Sequence, residues 1–322
     1  MKFKFDPQAY YWPALAGFAI LFIANIVANP IFIEHDNWRP VLLGAAPFIL
    51  TTWAQTVPIM SGNGDLDLSV GPLAGLVNAV LAYTLPSMGI TDPFSMIGIA
   101  LAIGLASGLL NGFLVTIVRV QPIIATLGTF LTYQGLTLEL LPIAGGSAPP
   151  WMQVISGNIL GVPGVLFVFI LIAIAWWLLG KTAYRRNLLA VGGDIRAAYT
   201  AGINVIAVRI VAFVIAGLLA AITGIVFTAT LASADPTIGT PYILTSIAGV
   251  ALGGIAFSGG RGGLLGAAAG GALLFLIENL FSLAQVSIYY IQIAYGAILL
   301  VALALNSMTD RARRRKAAAA LV

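Results

Sequence analysis

Long apolar stretches alternate along the chain with short polar ones, and the polar ones hold nearly all of the charge. Stretches free of Asp, Glu, Lys and Arg run 7–33, 40–64, 68–91, 93–118, 120–138, 140–180, 210–234, 236–260 and 279–309. A hydrocarbon core of roughly 30 Å takes about 20 helical residues, so each stretch is long enough to span a bilayer. The longest, 140–180, is broken by Gly145–Gly146–Ser147–Ala148–Pro149–Pro150 and by Gly161–Val162–Pro163–Gly164. It therefore supplies the end of one span, an external loop and a new span. Residues 262–285 add a span carrying one acid, Glu278. The pattern predicts ten helices, at about 12–33, 41–60, 70–88, 94–118, 122–142, 164–180, 208–231, 243–257, 264–285 and 288–306.

Lysine and arginine stay on the cytoplasmic side of a membrane. With ten spans and an inside N-terminus, the cytoplasmic segments hold Lys2, Lys4, Arg119, Lys181, Arg185, Arg186, Arg196, Arg209, Arg261, Arg311, Arg313, Arg314, Arg315 and Lys316. Only Arg39 of the 15 basic residues is left outside. Both termini are thus expected in the cytoplasm, including a basic tail at 307–322. No small-residue cleavage pattern follows the first apolar segment, which reads as an uncleaved helix and not a signal peptide.

Composition agrees. Hydrophobic residues make up 60% of the 322, charged residues 8%, and mean hydropathy is +1.02; a soluble chain has roughly 25% charged residues. A soluble enzyme, a nucleic-acid binder and a disordered scaffold are excluded. The expected fold is all-α, a single polytopic membrane domain over 1–322. There is no cysteine and one histidine, His35. Disulfides, thiolate chemistry and a His-based metal site are therefore not expected, and no cofactor is implied. The net charge of +4 reflects the inside bias.

An internal repeat of five helices is expected. Leu110–Asn111 is echoed by Glu278–Asn279, and Leu127–Gly128 by Tyr295–Gly296, both at a spacing of 168 (279 − 111 and 296 − 128). The glycine triplets Gly104, Gly108, Gly112 and Gly262, Gly266, Gly270 lie 158 apart instead, leaving the register open. An odd number of helices per half makes the halves inverted in the membrane. Glycines four apart allow close helix packing.

Three places hold candidate chemistry. The longest polar interruption, about 181–209, has a Gly192–Gly193 turn, Asp194 placed to cap a run Ile195–Thr200, and Gly202 to end it. It reads either as a plain connection or as a docking surface on the cytoplasmic face. The segment SGNGDLDLSVGP, 61–72, puts Asp65 and Asp67 at a span edge. They read either as helix caps favoured by the dipole or as transport residues, since acids at membrane depth are functional suspects. Glu139 and Glu278 are the other acids at depth, and neither has a basic residue within its own span. Gly180–Lys181–Thr182 mimics the end of a phosphate-binding loop, but Ala175 stands where its first glycine is required.

Four segments carry a resemblance: GDLDLSVGPLAG (64–75), VQPIIATLGTFLTYQGL (120–136), AVGGDIRAAYTAGINV (190–205) and IAGVALGGIAFSGGRGGLLGAAAGG (247–271). In order and spacing they resemble the ribose-type permease subunits of bacterial ATP-binding-cassette (ABC) importers, over nearly the whole chain. The chain departs from the family's pattern at Gly62–Asn63–Gly64, where a Gly-Gly is usual, and at the doubled acid Asp65 and Asp67.

The resemblance implies a subunit of the bacterial inner membrane with no catalytic site of its own. Its implied partners are cytoplasmic ATPase subunits, a periplasmic solute-binding protein, a second permease copy and membrane lipid, with no nucleic acid. The family's ATPase-coupling segment falls on Gly192, Gly193, Asp194, Arg196, Ala197, Ala198, Gly202 and Ile203, and the implied solute is a monosaccharide. Candidates for the translocation pathway are Asp65, Asp67, Ser69, Asn111, Gln121, Thr126, Thr129, Gln134 and Asn279. The competing reading is a stand-alone secondary carrier, with Glu139 or Glu278 coupling the ion.

Overall fold

The computed structural model describes residues 10–62, 64–287, 289–301 and 304. Lys2, Lys4, Asn63 and the basic tail lie outside these. The helices are α1 (Trp12–Ala28), α2 (Trp38–Ser61), α3 (Val70–Ser87), α4 (Pro93–Thr116), α5 (Pro122–Leu140), α6 (Val165–Lys181), α7 (Ala183–Gly193), α8 (Ile195–Thr200), α9 (Val205–Leu231), α10 (Tyr242–Leu252), α11 (Leu264–Leu283) and α12 (Tyr289–Val301). Among the described residues the sheet structure is a short antiparallel hairpin, Asn158–Ile159 with Val162–Pro163. Setting aside α7, α8 and a one-turn helix at Gln153–Ser156, the described residues hold ten apolar helices. Five of these are long and apolar enough to cross a membrane, or six if α6 and α7 make one bent span. The chain is a polytopic all-α membrane protein.

Local chemistry sets the helix starts. Asp92 caps α4 by accepting from the Ser95 N–H at 2.9 Å, and its exposed carboxyl is held below the usual range by that bonding. Proline opens α4 and α5, where its missing N–H costs nothing. Thr182 caps α7 and Asn204 caps α9. A π-helical turn, Val80–Thr84, interrupts α3. Alpha6 and α7 meet at an 80° bend, so α7 leaves the line of the span.

Alpha10 departs from the sequence reading. The expected span 243–257 is a helix of 11 residues, about 16 Å at 1.5 Å per residue, or half a bilayer. Gly253 and Gly254 end it, the latter at φ +73°. Non-helical backbone, 232–241, precedes it. Gly62 and residues 64–69, before α3, are likewise non-helical. Irregular backbone at this depth is tolerated where protein buries it.

The two breaks are related, and they settle the repeat register. Asp67 Oδ1 accepts from Ser69 N (2.9 Å) and Oγ (2.6 Å); Asp235 Oδ1 accepts from Thr237 N (2.7 Å) and Oγ1 (2.8 Å). The same turn recurs 168 residues on, and that offset also brings α2 onto α9, α4 onto α11 and α5 onto α12. The glycine triplets are not equivalents. Gly104, Gly108 and Gly112 press on α9 at Gly217, Phe213 and Ile210, whereas Gly266 and Gly270 press on α10 at Gly253 and Gly249. Their spacing of 158 is not the repeat.

The breaks enter from opposite ends, as inversion requires. At one end Gly62 meets Gly192, and Gly260 meets Gly192 and Gly193. At the other, Gly145 bridges Ala234 and Gly146 lies against Ala82. Among the described residues Arg119, Lys181, Arg185, Arg186, Arg196, Arg209 and Arg261 belong to the first end, and Arg39 to the second. The core runs along α2 and α9, which α3, α4, α10 and α11 flank.

Candidate functional site

The break between α2 and α3 buries two carboxylates near the basic end. Asp65 is 1% exposed and meets Arg209, in the first turns of α9, in a bidentate pair: Nε to Oδ2 at 2.9 Å and Nη2 to Oδ1 at 2.7 Å. Ser61 Oγ lies 3.2 Å from Asp65 Oδ2. A planar guanidinium gripping both oxygens fixes orientation as well as charge. The pair joins residues 144 positions apart. Arg209 figured in the sequence only as one more cytoplasmic charge; the signal available was that it and Asp65 sit at the same ends of their spans.

Asp67 anchors a second network, running inward from the first. Ser69 Oγ donates to Asp67 and accepts from Asn111 Nδ2 at 2.9 Å, and Asn111 Oδ1 accepts from Thr129 Oγ1 at 2.9 Å. With its amide oriented so that nitrogen donates, Gln55 bonds the Asp67 carbonyl oxygen at 2.8 Å and its N–H at 3.1 Å. Thr126 Oγ1 lies 3.2 Å from the Leu66 carbonyl oxygen. One irregular segment is thus tied to α2, α4 and α5 through buried side chains. Asn111 is five residues from the end of α4, about 7 Å along the axis. At the symmetry-related turn the Asp235 N–H donates to Asn78 Oδ1 at 3.1 Å, and Asn78 Nδ2 donates to Thr228 Oγ1 and to the Ser233 carbonyl oxygen, each at 3.0 Å. Sequence reading missed Gln55 because an interior glutamine of an apolar helix gives no motif.

The basic-end helices α7 and α8 lie against the first break and the loop that follows α10. Leu188, Val191 and Gly192 are buried, and a Cβ on Gly192 would overlap the Met60 carbonyl oxygen and the Gly260 nitrogen. Only glycine fits there. Asp194 caps α8 as expected, accepting from Arg196 N at 2.8 Å and Ala197 N at 3.0 Å. Gly202 ends it at φ +82°, and Ile203 packs on the core. Gly193, Arg196, Ala197 and Tyr199 are exposed, but Ala198 is 4% exposed and faces its own chain.

The remaining candidates lie apart. Gln121 precedes α5 without capping it. Gln134 Oε1 accepts from Thr240 Oγ1 at 3.3 Å, toward the second break. Asn279 donates to Asn25 Oδ1 of α1 at 2.7 Å. Glu278 accepts from the Tyr295 hydroxyl, and Glu139 is exposed at the end of α5.

A family model described as "Branched-chain amino acid transport system / permease component" matches residues 45–303. The chain is 36% identical over 310 residues to the ribose import permease protein of Bacillus subtilis (strain 168), covering 95% of each. It is 33% identical to the ribose import permease protein of Escherichia coli (strain K12), covering 94% of this chain and 96% of that one. It is 30% identical to the D-allose transport system permease protein of the same strain, covering 94% of each. No solved structure matches the chain.

Proposed function

The chain belongs to the branched-chain amino acid transport system permease family, and on that premise we propose that it carries a monosaccharide through the inner membrane as one subunit of an ATP-driven importer. Its partners are ATPase subunits on the basic, cytoplasmic end, a soluble binding protein at the far end, and a second permease copy. The observation that carries the reading is end-to-end similarity to ribose and allose permeases. Those relatives favour a sugar over an amino acid.

The geometry supports a route for the coupling. Alpha8 is short, exposed and capped, on the basic end. Gly192, just before it, is wedged between the end of α2 and the loop that follows α10. A shift of α8 therefore reaches both halves of the repeat. In the first half it reaches the break that holds Asp65 and Asp67. Closing ATPases would favour one arrangement of these breaks, and their opening the other, which is a population shift between two access states. On this reading ATP chemistry belongs to the ATPase subunits, and the chain supplies the moving contact.

The test is co-purification. The tagged chain, expressed with the ATPase and binding-protein genes beside its own, should retain the ATPase and show hydrolysis stimulated by solute-loaded binding protein. A chain that purifies without any ATPase and transports alone would remove this reading.

A further inference from the structure

A cavity of about 730 Å³ opens at the basic end, between the α4–α5 turn, α8 and the first turns of α9. Three arginines line it, Arg119, Arg196 and Arg209, together with Gln121, Tyr199 and Thr200. Among the described residues no acidic side chain lines it. Arg209 is matched by Asp65, while Arg119 and Arg196 have no ion pair among the described residues. Two positive charges therefore line one open pocket without a counter-charge among the described residues. Each comes from a different element, so neither helix propensity nor a local pair accounts for their lining the same pocket. The N-termini of α5 and α9, helices of 19 and 27 residues, abut the same space and add positive dipole ends.

We propose that this cavity is an anion site for a phosphate group, borne either by a lipid headgroup or by a small cytoplasmic solute. Arginine forks match phosphate oxygens in bidentate geometry, and Gln121 and Tyr199 add donors around them. The position matters for the transporter. Arg119 stands on the α4–α5 turn and Arg196 on α8, so an anion held by both ties the exposed helix to the membrane domain. Arg209 also faces the cavity while holding Asp65, so a bound anion competes for the guanidinium that pins the α2–α3 break.

The experiment uses the purified full-length chain and needs neither ATPase nor transported sugar, so its failure is separable from failure of the importer reading. In neutral phosphatidylcholine nanodiscs, inorganic phosphate is titrated and binding read by calorimetry. In a second arm phosphatidylglycerol is added to the nanodisc, and its retention is read by native mass spectrometry. The double variant Arg119→Gln/Arg196→Gln should bind the anion about 10- to 30-fold more weakly than the parent, since each basic residue near an anionic headgroup contributes on the order of a fivefold factor. Arg186→Gln, at the same end but outside the cavity, should match the parent. Loss in the first arm identifies a free phosphate, loss in the second a lipid headgroup. Equal binding by parent and double variant in both arms, or no binding by the parent in either, overturns the site.

Discussion

Gly71 and Gly239 press their backbones together, each where a Cβ would overlap the other's carbonyl oxygen. They are 168 residues apart, the repeat offset, so the pseudo-two-fold axis passes between them. The reciprocity extends one turn: the position of a Gly71 Cβ is 3.3 Å from Ile243 N, and that of a Gly239 Cβ 3.2 Å from Gly75 N. Position 75 and position 243 are themselves 168 apart. The contact is where α3 and the entry to α10, the two helices that follow breaks, meet inside the protein.

Substitution there has no room to relax, because the obstacle is backbone. Gly71→Val or Gly239→Val should lower the thermal stability of the purified protein by about 1–3 kcal/mol or prevent its accumulation. Gly128→Ala, on an open face of α5, should leave melting within a degree or two of the parent, since an added methyl there meets only open space. Equal melting of all three would mean that α3 and α10 do not meet here.

The Asp65–Arg209 pair should respond unequally to the loss of either member. Arg209→Gln leaves a carboxylate 1% exposed without its partner, whereas Asp65→Asn leaves a cation 17% exposed. Breaking a buried pair costs about 3–5 kcal/mol, so Arg209→Gln should approach that figure and Asp65→Asn fall below it. The double variant should recover part of the loss. Thermal melts of the four proteins form the cycle, and strict additivity would deny the pair.

Alpha8 separates docking from folding. Ala197→Trp, on its exposed face, should leave yield and melting unchanged while the ATPase co-purifies poorly. Ala198→Glu, expected from sequence to face a partner, instead puts a charge against the chain's own core and should reduce folded yield. If Ala197→Trp assembles and hydrolyses ATP normally, α8 is a connection only.

Sidedness is open to a direct check because the chain contains no cysteine. An impermeant thiol reagent applied to intact cells should label a cysteine placed at 39 and spare one placed at 196. The reverse pattern would invert the orientation.

Much of the fold was legible because apolar length and charge position are local properties. The expected span 94–118 is Pro93–Thr116, bounded by Asp92 and Arg119. The 15-residue span expected at 243–257 was too long, since hydropathy does not register that Gly253–Gly254 stops a helix against Gly266 and Tyr10. Of the candidate site, Asp67, Ser69, Asn111 and Thr129 do converge, whereas Asn279 turns to Asn25 on α1. Its counterpart Asn111 meets Ser69 instead, although the equivalent turn carries a hydroxyl too, at Thr237. What no local pattern conveys is partnership across 144 residues, as between Asp65 and Arg209, or a glutamine such as Gln55 folded onto a distant turn's backbone.

Uptake of radiolabelled sugar into proteoliposomes tests the central claim most directly. The liposomes hold the chain with its ATPase, loaded binding protein is added outside, and a proton gradient is imposed in half of the samples. Uptake should require ATP and ignore the gradient, in the parent and in Glu278→Gln alike, because Glu278 is engaged with Tyr295 and forms no ion pair among the described residues. Gradient-driven uptake without ATPase, lost in Glu278→Gln, would contradict the account and make the chain a carrier in its own right.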